Sequence, residues 1–114
     1  MRVALRCDDL LFASRLKAAL EAAGHEVELQ PVAATGAARA GSEQPFDAVV
    51  VDLERLVEGA RLDGRSPVLG FYPHLRTDLP QRAAQLGVDR AVPRSRAARE
   101  IVRLVEGLVQ SGER

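Results

Sequence analysis

The stretch Phe46-Asp47-Ala48-Val49-Val50-Val51-Asp52-Leu53 decides the fold. Its centre, residues 48–51, is an unbroken apolar run rich in β-branched valine, which predicts a strand that is covered on both faces. Strands of this kind occupy the middle of parallel sheets. The run ends at Asp52, so we expect a carboxylate at the carboxyl end of a central strand.

The sequence on either side alternates short apolar runs with longer helical patterns. Strands are predicted at residues 3–7, 25–32, 48–51, 67–72 and 89–93. Helices are predicted at residues 10–23, 33–40, 54–60 and 79–86, and a last helix follows Ser95, its expected N-cap. Five strands that alternate with five helices predict an α/β fold, a doubly wound five-stranded parallel sheet with helices on both faces, as one domain over residues 1–114.

Composition limits the classes of function. The 114 residues are 46% hydrophobic, and 16 basic residues balance 16 acidic ones, which argues against broad charge-driven binding to nucleic acid or to a membrane. Cys7 is the only cysteine and cannot form an internal disulfide, so a cytoplasmic location is expected. Neither a leader peptide nor an apolar run of membrane-spanning length is visible.

The carboxyl ends of the predicted strands share one edge of the sheet, where doubly wound folds place their chemistry. We expect the first, third and fifth strands to be neighbours there, which brings Asp8, Asp9 and Asp52 close to Arg94. Crowded carboxylates recruit a cation, and oxygen ligands suit Mg²⁺. A metal beside one further carboxylate can position a phosphoryl group, with Arg94 as its partner, which gives a physical route to an aspartyl phosphate at Asp52.

Four segments carry a resemblance to a known family. They are RVALRCDD at residues 2–9, LEAAGHEV at 20–27, FDAVVVDL at 46–53 and GVDRAV at 87–92. Together they resemble the receiver domain of bacterial response regulators, over residues 2 to about 108, which implies a flavodoxin-like fold of the receiver type. The resemblance implies that Asp52 is the phospho-acceptor. It also implies that Asp8, Asp52 and the backbone carbonyl of Glu54 hold Mg²⁺, while Asp9 falls at a third, often acidic position.

Five positions depart from the receiver pattern. Cys7 stands where the family has the first acid of a pair, and Tyr72 stands at the position of the switch hydroxyl, Thr or Ser. Ala91 replaces an aromatic switch residue, Arg94 replaces a lysine, and Ser95 replaces a proline. Two hypotheses within the family follow: a phosphorylatable aspartate switch, or a protein-interaction module that works without phosphorylation.

A hypothesis of another class rests on Cys7. This residue ends the first predicted strand, as the phosphocarrier cysteine does in small sugar-transport phosphotransferase subunits of similar layout. Asp8 and Asp9 follow it here, where they would repel phosphate and raise the pKa of the thiol. A phosphocarrier or redox protein that acts through Cys7 is therefore the alternative, and a buried apolar cysteine is the simpler expectation.

The expected function is that of a stand-alone, non-enzymatic signalling domain. Its expected partners are proteins, either a sensor kinase or a downstream regulator, and a homodimer through the fourth strand and the last helix is a second arrangement. Arg96, Arg99 and Arg103 lie on one side of the last helix and favour a partner surface there. His25 and His74 lack metal-ligand spacing and are expected to be solvated.

Overall fold

The computed structural model describes residues 1–30, 46–56 and 66–111. Its strands are β1 (Arg2–Arg6), β2 (Glu26–Gln30), β3 (Ala48–Asp52), β4 (Val68–Tyr72) and β5 (Arg90–Pro93). Its helices are α1 (Leu10–Ala22), α2 (Leu53–Leu56), α3 (Leu79–Ala83), which a 3₁₀ turn (Ala84–Leu86) extends, and α4 (Arg94–Ser111). The helix predicted at residues 33–40 and the later part of the one predicted at 54–60 lie outside the described residues.

The five strands form one parallel sheet in the order β2-β1-β3-β4-β5. β3 is central and all five of its residues are buried, as its apolar run predicts. The expectation that the first and third strands are neighbours is confirmed, but it is wrong for the fifth strand, because β4 lies between β3 and β5. The crossovers from β3 to β4 and from β4 to β5 have the same hand, so β4 and β5 follow one another on the same side of β3.

Two apolar clusters lie on opposite faces of the sheet, which confirms that helices cover both faces. On one face, α1 and α4 pack on alternate residues of the strands, and the rings of Phe12 and Phe71 lie 5.0 Å apart between centroids. On the other face, α2 and α3 contribute Leu53 and Leu79 to a second cluster with the intervening strand residues. Among the helices of the described ranges, we find none with the length and apolar character of a membrane span.

The boundaries of the helices follow local chemistry. Asp9 caps α1, because its side chain accepts a hydrogen bond from the Phe12 N–H. Gly24 and Gly87 follow α1 and the 3₁₀ turn at φ of +93° and +87°, a conformation that favours glycine. The prediction that Ser95 caps the last helix is wrong, since α4 follows β5 directly and begins at Arg94, which places Ser95 inside its first turn.

His25 occupies a joint between the start of the chain and α4. Its side chain is only 12% exposed, and its Nε2 lies 2.8 Å from a carboxylate oxygen of Glu106. The ammonium of Met1 lies 3.2 Å from its Nδ1. The expectation that His25 is solvated is therefore wrong, because the turn that precedes β2 directs the ring against the last helix.

Gly70 allows β4 to pack closely against the residue that follows Asp52. A Cβ atom at Gly70 would lie 2.5 Å from Cδ2 of Leu53, whose side chain is fully buried. Leu53 therefore needs a glycine opposite it, and this contact fixes the direction in which the chain leaves β3.

We expect Gly70→Ala to lower the free energy of unfolding by about 1–3 kcal/mol, because the added methyl group overpacks the contact with Leu53. Gly107→Ala is the matched control, since a Cβ atom at this position in α4 meets nothing within 4 Å. It should raise the free energy of unfolding by about 0.5–1 kcal/mol through helix propensity. Denaturant unfolding measures both, and effects of the same sign would contradict the packing argument.

Candidate functional site

Asp52 is a buried carboxylate at the carboxyl end of the central strand. Its side chain is almost fully covered, and its Oδ1 accepts a hydrogen bond of 3.1 Å from the Glu54 N–H as the chain turns into α2. Burial raises the pKa of Asp52 above its usual range, although the Glu54 N–H and the charge of Arg94 act in the opposite direction. The ionised form of Asp52 is thus costly in this structure.

Cys7 lies beside Asp52 at the same edge. Arg6 and Val51 are partners in the register of β1 and β3, so the next residues of the two strands are neighbours. Cys7 is buried, and its thiol donates a hydrogen bond to the carbonyl of Asp9 at 3.5 Å. Burial raises the pKa of the Cys7 thiol, and the negative charge of Asp52 raises it further. The structure confirms the expectation that Cys7 is buried.

Asp9 and Arg94 join the start of α1 to the start of α4. Nη2 of Arg94 donates to Oδ2 of Asp9 at 2.8 Å, and this hydrogen bond lowers the pKa of Asp9. The guanidinium also lies 4.2 Å from the ring centroid of Phe12 and 5.8 Å from that of Phe71. Arg94 thus reaches the end of β1 although β3 and β4 separate that strand from β5.

A second guanidinium, which the sequence did not identify, contacts the other acid of this edge. Nη2 of Arg55 in α2 lies 3.3 Å from Oδ2 of Asp8. The neighbouring Glu54 carboxylate is in turn 3.3 Å from Arg76, which also pairs with Asp78 at 3.1 Å. The sequence contains one signal for the contact of Arg55 with Asp8, a basic residue three positions after Asp52 at the edge of the sheet.

The residues at the two switch positions pack away from this cluster of charges. Tyr72 and Ala91 are partly buried against the cluster that α2 and α3 form on their face of the sheet. Within the described ranges, the hydroxyl of Tyr72 has no hydrogen-bond partner. The structure therefore gathers Asp8, Asp9, Arg94 and the end of β3 at one edge, and it places the tyrosine ring in an apolar contact.

An arginine contacts each of the two acids, Asp8 and Asp9, that the Mg²⁺ hypothesis places at this edge. In the part of the chain that the structure describes, no three His, Cys, Asp or Glu side chains form a group that could hold a metal ion. Asp9 is engaged in the helix cap and with Arg94, and Asp8 faces the cation of Arg55. The neutral thiol of Cys7 is a soft ligand, whereas Mg²⁺ requires oxygen.

The comparisons with known proteins identify the fold. No family model and no curated protein matches the sequence. Among solved structures, the chain is similar to the receiver domain of the Francisella response regulator 1452, with a TM-score of 0.74 and 16% identity over 98% of both chains.

Two further structures give the same result. A CheY-like response regulator receiver domain protein from Methanospirillum hungatei JF-1 has a TM-score of 0.76 and 18% identity, over 98% of this chain and 95% of that one. A LuxR family DNA-binding response regulator from Silicibacter pomeroyi has a TM-score of 0.75 and 22% identity, over 97% and 93%. The chain thus has the flavodoxin-like fold of response-regulator receiver domains, as its sequence predicts.

Removal of the buried charge should stabilise the protein. Because the pKa of Asp52 is higher in the folded than in the unfolded chain, the folded state holds its proton more tightly, and stability falls as pH rises through the pKa of the folded state. We expect Asp52→Asn to raise the free energy of unfolding at neutral pH, because the amide carries no charge and its oxygen can still accept from the Glu54 N–H. Thermal unfolding at several pH values should show this gain disappear below the unfolded pKa.

Asp78→Asn is a control of opposite sign. The hydrogen bond from Arg76 lowers the pKa of Asp78, so the stability that its charge supplies is present above the unfolded pKa and is lost as pH falls. This variant should lower the melting temperature at neutral pH. A pH-independent effect of Asp52→Asn, or a loss of stability there, would contradict the assignment of a costly buried charge.

The Cys7 thiol should react slowly in the folded protein. Burial and the raised pKa both reduce the thiolate that attacks a disulfide reagent. We expect modification by an aromatic disulfide, followed by absorbance, to become fast only in denaturant. Rapid modification of the native protein that accelerates with a titration below the usual cysteine pKa would instead favour a phosphocarrier or redox function.

Proposed function

We propose that this chain is a receiver-like signalling domain that acts as a phosphorylation-independent protein-interaction module, and not as an enzyme. One observation carries the proposal: an arginine engages each of the two acids that follow β1. Arg55 contacts Asp8 and Arg94 contacts Asp9. The carboxylates that would hold a metal, and the arginine that would pair with a phosphoryl group, already contact one another inside the protein.

Transfer of a phosphoryl group to Asp52 would require an ionised nucleophile and a cation to neutralise the incoming charge. The raised pKa of Asp52 makes the ionised form costly. An exposed ion pair such as that of Asp8 with Arg55 is worth only about 0.2–1 kcal/mol. Cys7 opposes metal binding as well, because it supplies a buried thiol in place of an acid.

The residues that would report a phosphate also favour a constitutive role. Tyr72 and Ala91 pack against the apolar cluster that includes Leu53 and Leu79. A phosphoryl group on Asp52 would find neither a small hydroxyl nor a mobile aromatic ring at these positions. We infer that the domain functions by binding a partner, and not by a rearrangement that a phosphoryl group drives.

The partner that we propose is a protein of a signalling pathway, either a sensor kinase or a downstream regulator. We propose that the protein works in the cytoplasm, because Cys7 is a buried, free thiol, which suits a reducing environment. A dimer through β4 and α4 stays a prediction.

Beryllofluoride with Mg²⁺, a mimic of the phosphoryl group, tests the proposal. We expect the backbone amide resonances of residues 52–56 to stay unchanged in nuclear magnetic resonance spectra at millimolar Mg²⁺, because Arg55 faces Asp8 and Cys7 stands in place of an acid. Shifts in the wild type that are lost in Asp52→Asn would overturn the proposal and establish a phosphorylatable switch.

The double variant Cys7→Asp with Arg55→Ala is the matched positive control. It restores the acid pair and removes the guanidinium that faces Asp8. It should acquire Mg²⁺-dependent shifts at the same amides, if its thermal unfolding remains cooperative. A variant that stays silent would show that the thiol and Arg55 are not what prevents metal binding.

A further inference from the structure

A groove of about 760 Å³ lies along α4 beside α1, on the face of the sheet that carries the first apolar cluster. Small or apolar residues line much of it, with Ala19 on α1 and Ala98, Val102 and Gly107 on α4. The described residues that line it do not include Asp52 or the residues that contact Asp52. The walls are open to solvent, and a Cβ atom at Gly107 would meet nothing within 4 Å, so the groove has room for a further side chain there.

The groove carries an unbalanced positive charge. Arg99 and Arg103 line it, both are exposed, and neither has an ion-pair or hydrogen-bond partner within the described ranges. Arg15 lies four residues before Ala19 on α1, and it is likewise exposed and without a partner among the described residues. Residues spaced by four share a helix face, so this arginine extends the same basic surface.

The two acids of the groove already have partners. Glu100 pairs with Arg96 at 3.6 Å. Glu106 pairs with His25 at 2.8 Å, and the Met1 ammonium contacts the same imidazole. Both carboxylates are therefore engaged by side chains of the protein itself, and Arg99 and Arg103 are the groove side chains that are exposed and without such a partner in the described ranges.

We propose that this groove binds an acidic helix of a partner protein. Carboxylates four residues apart on that helix would pair with Arg99 and Arg103, while small apolar side chains pack against Ala19 and Ala98. A third helix fits the depression between two parallel helices by interlocking its side-chain ridges with theirs. The proposal rests on the proposed function, because it names the chemistry of the protein partner.

Two other occupants fit the groove less well. A single-stranded nucleic acid binds through aromatic side chains on which its bases stack, and none of the described residues that line the groove is aromatic. A second copy that docked through the same face would bring two basic surfaces together, because an isologous contact uses the same patch on both subunits. The charge complementarity therefore favours an acidic protein segment.

A synthetic helical peptide of Ala, Leu and Glu, with Glu at i and i+4 on one face, is the probe. Fluorescence anisotropy of the labelled peptide should show salt-dependent binding, and amide shifts should map to Ala19, Ala98 and Val102. The double variant Arg99→Glu with Arg103→Glu should weaken binding by at least about tenfold, which corresponds to about 1.4 kcal/mol. A peptide with Gln in place of Glu should bind equally weakly to the wild type.

The matched control is Arg82→Glu with Arg90→Glu, which changes the net charge equally at two exposed arginines outside the groove. It should keep the affinity of the wild type. Absence of binding at millimolar peptide, an equal loss in this control, or tighter binding of a single-stranded DNA oligonucleotide at the same amides would each overturn the proposal. A beryllofluoride response would overturn only the proposed function, so the two failures are distinguishable.

Discussion

The burial of β3 on both faces is the constraint from which the candidate site follows. Its residues Ala48–Asp52 are all covered, so the strand delivers a carboxylate into a region where charge is poorly solvated. Two features lower that cost: the Glu54 N–H donates to the carboxylate, and the positive charge of Arg94 acts on it. The close contact of Leu53 with Gly70 then keeps the turn into α2 in place. The geometry of this edge is thus a consequence of core packing.

Arg94 has a structural role that a lysine would fulfil less well. Its planar guanidinium stacks on Phe12, in the first turn of α1, while one of its nitrogens donates to Asp9, the N-cap of that helix. The same side chain reaches over Phe71 of β4. One residue therefore holds the starts of α1 and α4 together across two intervening strands. Movement of Arg94 towards a ligand at Asp52 would give up these contacts.

The sequence predicts the strands well, because buried parallel strands leave continuous apolar runs such as residues 48–51. It does not predict which strands are adjacent, since adjacency depends on the direction of crossovers and not on composition. The sequence does not predict the contact of Arg55 with Asp8, because this contact depends on α2 beginning immediately after Asp52. It does not predict the position of His25 either, because the partner of His25, Glu106, is distant in sequence and adjacent only in the fold.

The distribution of arginine partners separates structure from recognition in this protein. At the Asp52 edge, Arg55 and Arg94 bind the protein's own acids, so they hold elements together and add little net charge to the surface. Along α4, Arg99 and Arg103 have no such partner within the described residues and remain available to solvent. The contact with Asp9 holds Arg94 at the start of α4, whereas most of the groove residues on α4 follow a break in the helix at Glu100, where φ is −129° and ψ is 22°. A module that presents a constant surface needs no link between the groove and the Asp52 edge, whereas a switch does.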